Sequence, residues 1–140
     1  MSARSGFSLV ELVVVLVIVA ILAALAIPRL TDSETRASWY VDQVRAGLRH
    51  AQRQAVAQRR NVYVEVLPGQ LRLCYDAGCS TVLTQLADGQ PYVLPAPSEV
   101  SLVTMPVFWF DALGRPQPGG QSIVVNGSAI TVQAETGYVQ

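Results

Sequence analysis

The sequence predicts an α+β fold in which one long N-terminal helix, apolar first and amphipathic after, packs on a mainly antiparallel β-sheet. Three observations predict it. An apolar run of 21 residues fills positions 7–27, an apolar stripe with helical spacing follows, and short β-branched or aromatic stretches separated by turn residues make up the rest. Hydrophobic residues are 51% of the 140-residue chain and charged residues 14%, a balance more apolar than an ordinary cytosolic domain, with the excess at the front.

The apolar run reads FSLVELVVVLVIVAILAALAI from Phe7 to Ile27, interrupted only by Ser8 and Glu11. As a helix it rises about 30 Å, enough to cross a hydrocarbon core. Arg4 before it is the charge expected on the cytoplasmic side, so the chain from about Arg29 onward is expected in the periplasm. A secretory signal would have a shorter run ending in small residues at a cleavage site. A plain membrane anchor leaves Glu11 unexplained, because a carboxylate at that depth costs about 2 to 3 kcal/mol and needs a partner.

Between Ser33 and Arg60 the period is helical: Val41, Val44, Leu48, Ala51 and Ala55 recur three and four apart. Ser33 or Thr31 suits the start and Asn61 lies past the end. Gly47, inside this helix, predicts close approach by another backbone. Arg45, Arg49 and Arg53 line one face, with Arg59 and Arg60 beyond them. Such a row suits phosphate or a filament contact, and no aromatic side chains alternate with it to stack bases. Residues 29–60 carry seven arginines against three acids, whereas residues 61–140 carry two against six. That asymmetry favours self-association of the two flanks over a nucleic-acid or lipid partner. His50 reads as a helix surface residue.

After Asn61 the period becomes two. Val62, Val64 and Val66 face one way, Leu67-Pro68-Gly69-Gln70 reads as a type II turn, and Leu71–Tyr75 returns as the second strand of a hairpin. Thr81–Leu86 is a weaker strand, and Pro91, Pro95 and Pro97 mark an irregular connection. Strands are then expected at Val107–Phe110, Ser122–Val125 and Ala129–Val132, the last two joined by Asn126-Gly127.

Cys74 and Cys79, with four residues between them that include Asp76-Ala77-Gly78, predict a disulfide if this part lies outside the cytoplasm. Metal binding would need more ligands than they offer, so neither a metal nor a cofactor is expected. The chain has no lysine, one histidine, no G-x-S-x-G and no zinc-type His-Glu pattern, which argues against an enzyme.

The string Gly6-Phe7-Ser8-Leu9-Val10-Glu11 resembles the type IV prepilin signal. The resemblance implies cleavage between Gly6 and Phe7 by a prepilin peptidase, N-methylation of Phe7, and pairing of the Glu11 carboxylate with the N-terminal amine of an adjacent subunit. A charge pair of that kind keeps Glu11 ionised and sets an axial register. Pro28 in AIPRL resembles the helix-kinking proline of pilins, the alternative being a helix end at the membrane surface. The implied organisation is a leader at 1–6, a transmembrane and assembly helix at 7–28, and a periplasmic pilin-like globular domain at 29–140.

Phe110-Asp111-Ala112-Leu113-Gly114-Arg115-Pro116, with the closing Ile130–Val139 segment, resembles the GspH/FimT family of minor pilins and pseudopilins, most closely its MSHA-type members. This implies a structural subunit that helps start or tip a type IV pilus, with a type II secretion pseudopilin or a DNA-uptake pilin as alternatives. The implied partners are the prepilin peptidase, other major and minor pilins or pseudopilins, the inner membrane and the assembly platform. Some relatives bind nucleic acid through a G-R-x-R pattern here. Gly114 and Arg115 match it, but Gln117 replaces the second arginine, so DNA binding would rest on Arg115 with Arg45, Arg49 and Arg53. Pairing of Arg115 with Asp111 is the competing role.

Overall fold

The computed structural model describes residues 8–26, 33–85 and 87–140. They fall into two units, Met1–Thr35 and Arg36–Gln140.

In the first unit, helix α1 (Leu9–Ala26) is apolar all round beyond Glu11 in its first turn, with Leu9, Leu12, Leu16, Ile18 and Leu22 all exposed. It offers water no polar face, so it needs apolar surroundings from outside the unit. Among the described residues no helix is long and apolar enough to cross a membrane. The span expected at 7–28 runs past α1 at both ends, onto residues outside those described.

Helix α2 (Ser33–Gln58) provides one side of the second unit's core. Tyr40, Val44, Leu48, Ala51 and Ala55, spaced three or four apart, are wholly buried. The helix ends as a Schellman motif: Arg60 N–H donates to Ala55 O (3.2 Å), Arg59 N–H donates to Val56 O (3.3 Å), and Arg59 takes a left-handed φ of 50°.

Five strands, β1 (Val62–Leu67), β2 (Gln70–Cys74), β3 (Val93–Pro95), β4 (Met105–Phe110) and β5 (Pro116–Gln117), form a sheet in the order β3-β2-β1-β4-β5. Strands β6 (Gln121–Val125) and β7 (Ser128–Val132) make a separate hairpin, and every strand pairing is antiparallel. Val62, Val64, Val66, Leu71, Leu73, Phe108 and Phe110 turn one face of the sheet into the same core as α2, which Ile123, Val125, Ile130 and Val132 of the hairpin complete. Each such side chain, fully buried, stabilises the fold by about 1.5–3 kcal/mol. The fold is therefore α+β, a helix on a mainly antiparallel sheet.

Turn chemistry sets the register. Gly69, at φ 90°, fills the third place of the β1–β2 turn, and Asn126 and Gly127, at φ 49° and 82°, form the mirror-image turn that suits a tight hairpin. Between β1 and β4 the register slips, with Val64 opposite Phe108 but Val66 opposite Met105. The extra residue falls beside Pro106, which has no N–H to pair.

Three expectations need correction. Of the Thr81–Leu86 stretch, the described residues 81–85 form no strand: Val82 and Thr84 make isolated bridges to Cys74 and Pro91, while Leu83 N–H donates to Leu73 O and its carbonyl accepts from Tyr92 N–H. The proline-rich connection contains β3, because Val93, Leu94 and Pro95 pair with Arg72, Leu71 and Gln70 along the outer edge of β2. Gly47 is approached by side chains and not by backbone: a methyl group there would lie 3.1 Å from Leu94 Cδ1 and 3.3 Å from the Tyr92 hydroxyl.

Both outermost strands of the five-stranded sheet carry proline, Pro95 in β3 and Pro116 in β5. The hairpin edges are covered too. Val103 N–H donates to Val124 O and Asn126 N–H to Ser101 O beside β6, while Thr131 and Gln140 exchange two backbone hydrogen bonds beside β7.

Candidate functional site

Of the residues expected to govern processing and assembly, Gly6, Phe7 and Pro28 lie outside the described residues. Glu11 is described, in the first turn of α1. Ser8 precedes the helix, and its carbonyl accepts the first helical bond from Leu12 N–H at 3.1 Å. Ser8 and Glu11 thus have the S-x-x-E spacing of a helix start, where unpaired N–H groups and the helix dipole favour a carboxylate. Glu11 is exposed and makes no ion pair within the described residues.

The loop after β4 is organised by Asp111. Its Oδ1 accepts hydrogen bonds from the backbone N–H groups of Leu113 and Arg115, both at 2.9 Å, and its Oδ2 accepts from Arg115 Nε at 3.2 Å and Gln117 Nε2 at 3.4 Å. Burial alone would raise the Asp111 pKa, but the backbone donors of Arg115 and Leu113, the Gln117 amide and the Arg115 charge together hold it below its ordinary value. Arg115 is thereby an ion-pair partner of Asp111, and Gln117 turns to the same carboxylate.

The α2 arginines have separate engagements. Arg45 pairs with Asp42 at 2.6 Å, and Arg49 Nη2 donates to Val139 O at 3.0 Å. Arg53 lies near His50, whose ring stacks on Tyr92 with centroids 5.1 Å apart. Burial first, and the Arg53 charge second, push the His50 imidazole below its ordinary pKa. The residue that sequence reasoning passed over is Gln52: its Nε2 donates to Gly114 O at 3.0 Å and to Thr136 O at 2.9 Å. Nothing in a run of glutamines and arginines singles it out.

Cys74 and Cys79 form a disulfide that closes the loop after β2. Inside it the Asp76 carboxylate accepts from Ser80 N–H (2.9 Å) and Thr81 N–H (2.6 Å), which lower its pKa. Tyr75 leads from this loop to the end of α2, its hydroxyl accepting from Gln58 Nε2 at 3.0 Å and its ring lying 3.9 Å beneath the Arg60 guanidinium. Among the described residues no cluster of His, Cys, Asp and Glu could hold a metal ion, and no pocket opens.

Residues 1–27 match the family described as the prokaryotic N-terminal methylation motif. No curated protein matches the chain. Two crystal structures of the type IV minor pilin FimU from Pseudomonas aeruginosa are similar, each 17% identical in sequence. One superposes with a TM-score of 0.53 over 74% of this chain and 90% of that one, the other with 0.56 over 76% and 88%. A helix on a mainly antiparallel sheet, carried behind an N-terminal methylation motif, is the type IV pilin fold.

Proposed function

We propose that the chain is a minor pilin: a structural subunit that is cut between Gly6 and Phe7, methylated on Phe7, and inserted through its N-terminal helix into a type IV pilus that it helps start or tip. The observation that carries this reading is the pairing of a methylation motif over residues 1–27 with a pilin fold in the remainder. On the wording of residues 110–139 we place it with the MSHA-type minor pilins. Its route would be the bacterial inner membrane with the globular domain in the periplasm, and its partners the prepilin peptidase, other pilins and the assembly platform.

Glu11 has the central role in this reading. It sits among exposed aliphatic side chains of α1 and has no ion pair among the described residues. In an apolar bundle of such helices, an amine supplied by the next subunit offsets the cost of dehydrating the carboxylate and fixes one axial position. Mass spectrometry of the mature protein should find a chain beginning at methylated Phe7. Glu11→Ala should insert in the membrane at the wild-type level but enter filaments poorly, and undiminished incorporation would count against the role.

A further inference from the structure

Among the described residues, Arg36, Arg45, Arg72 and Arg115 each have a carboxylate within ion-pair distance. Arg49, Arg53, Arg59 and Arg60 have none, and all four lie on the last part of α2 or just past its end. Arg49, Arg53 and Val56 follow one another at spacings of four and three, so they share a helix face, and all are exposed, whereas Arg60 lies past the helix end with its guanidinium over the Tyr75 ring.

Two loops meet this face. Gly114, at φ 79°, comes so close to α2 that a methyl group there would lie 3.0 Å from Val56 Cγ2, and a methyl group on Gly137 would collide with the Gly114 carbonyl. Gln52 ties both loops down from the same side of the helix. Their neighbours, Leu113 and Tyr138, are 71% and 54% exposed, beside a Val56 that is 47% exposed. Scattered exposed apolar residues need no explanation, whereas this group is gathered by hydrogen bonds and two glycine contacts and is flanked by unpaired cations.

We infer that this surface, formed by Val56, Leu113 and Tyr138 with Arg49 and Arg53 along it, docks the acidic, apolar-centred face of a neighbouring filament subunit. The inference rests on the minor-pilin reading and names the contact which that reading leaves open. Charge complementarity selects an acidic partner, since Arg49 and Arg53 have no carboxylate within ion-pair distance among the described residues and repel a basic face. The aliphatic side chains select protein over nucleic acid: Leu113 and Val56 gain nothing against a phosphate backbone, and a single tyrosine is a poor platform for stacked bases. Glu135, exposed in the loop that carries Tyr138, makes no ion pair with these arginines.

The test is photo-crosslinking of the full chain in its native membrane, with the reactive residue placed in turn at Val56, Leu113 and Tyr138, at Ser122 on the exposed side of β6, and at Val14 in α1. The expected result is an adduct from the first three positions, absent at Ser122, to a chain with a methylated N-terminus and through a peptide rich in Asp and Glu. Arg53→Glu should lower its yield about tenfold, Arg53→Gln less, at unchanged membrane levels, and a Lys in place of the partner's acid should restore it in Arg53→Glu. A nuclease-sensitive adduct, or one to a chain without the methylated terminus, overturns the inference. No adduct from the three positions while Val14 still crosslinks to a pilin overturns it and leaves the proposed function standing; silence at Val14 as well removes both.

Discussion

Gln52, in the middle of α2, donates its side-chain amide to the carbonyl of Gly114, 62 residues further along the chain, at 3.0 Å. The same nitrogen serves Thr136 at 2.9 Å, so one side chain locks two loops against the helix. Gln52→Leu leaves both carbonyls without their donor and should cost about 1–3 kcal/mol in denaturant unfolding of the detergent-solubilised chain. Gln54→Leu, whose amide oxygen accepts only from Gln58, should change stability far less.

The two glycines at this junction should differ in tolerance. Both have left-handed φ, 79° at Gly114 and 67° at Gly137, which an L-residue adopts at a cost of about 1 kcal/mol. A Cβ on Gly114 would press on the flexible ends of Val56 and Gln52, whereas one on Gly137 would run into a backbone carbonyl. Gly137→Ala should therefore lower the melting temperature clearly more than Gly114→Ala. Equal shifts would mean that the two loops separate easily.

Closing the short Cys74–Cys79 loop should stabilise the chain by about 2 kcal/mol. Its loss should also free Tyr75 from Gln58 and Arg60, loosening the end of α2. Hydrogen exchange of the paired Cys74→Ser, Cys79→Ser variant should accelerate at Val56–Arg60 before it does at Val44–Ala51.

Asp111 should contribute to acid sensitivity. Its folded-state pKa lies below its ordinary value of 3.8, so the unfolded chain binds a proton more readily. The stability it supplies is complete above that ordinary value and drains away as the pH falls through the folded one. Asp111→Asn should be less stable than wild type at neutral pH, having lost the charge partner of Arg115, and should lose stability less steeply on acidification. An unchanged acid slope would mean the carboxylate is already free to titrate.

Periodicity exposed those parts of the fold that depend on local chemistry. The α2 stripe needs only side chains that return every turn, and the β1–β2 and β6–β7 hairpins need Gly69 and Asn126-Gly127 in conformations few other residues adopt. Strand β3 was hidden because Pro95 argues locally against a strand, while the unpaired outer edge of β2 argues for one only after the chain has folded. Strand β5, two residues beside Trp109 and Phe110, is too short to have a period. Among the candidate site residues, the Asp111–Arg115 pairing is suggested by a four-residue spacing across a glycine turn. The Gln52 clamp joins residues 62 and 84 positions apart, a distance no local pattern spans.

Blunted borders on the β-structure bear on crowding. Under the proposed function the chain is concentrated in a membrane and then stacked at high density, where an open strand would invite neighbours to zip together into an irreversible aggregate. Prolines at both flanks of the larger sheet and backbone partners along the hairpin deny that route. In the pilus role proposed above, cohesion between subunits then falls to helices and side chains, which can let go, so that filament would come apart as well as go together.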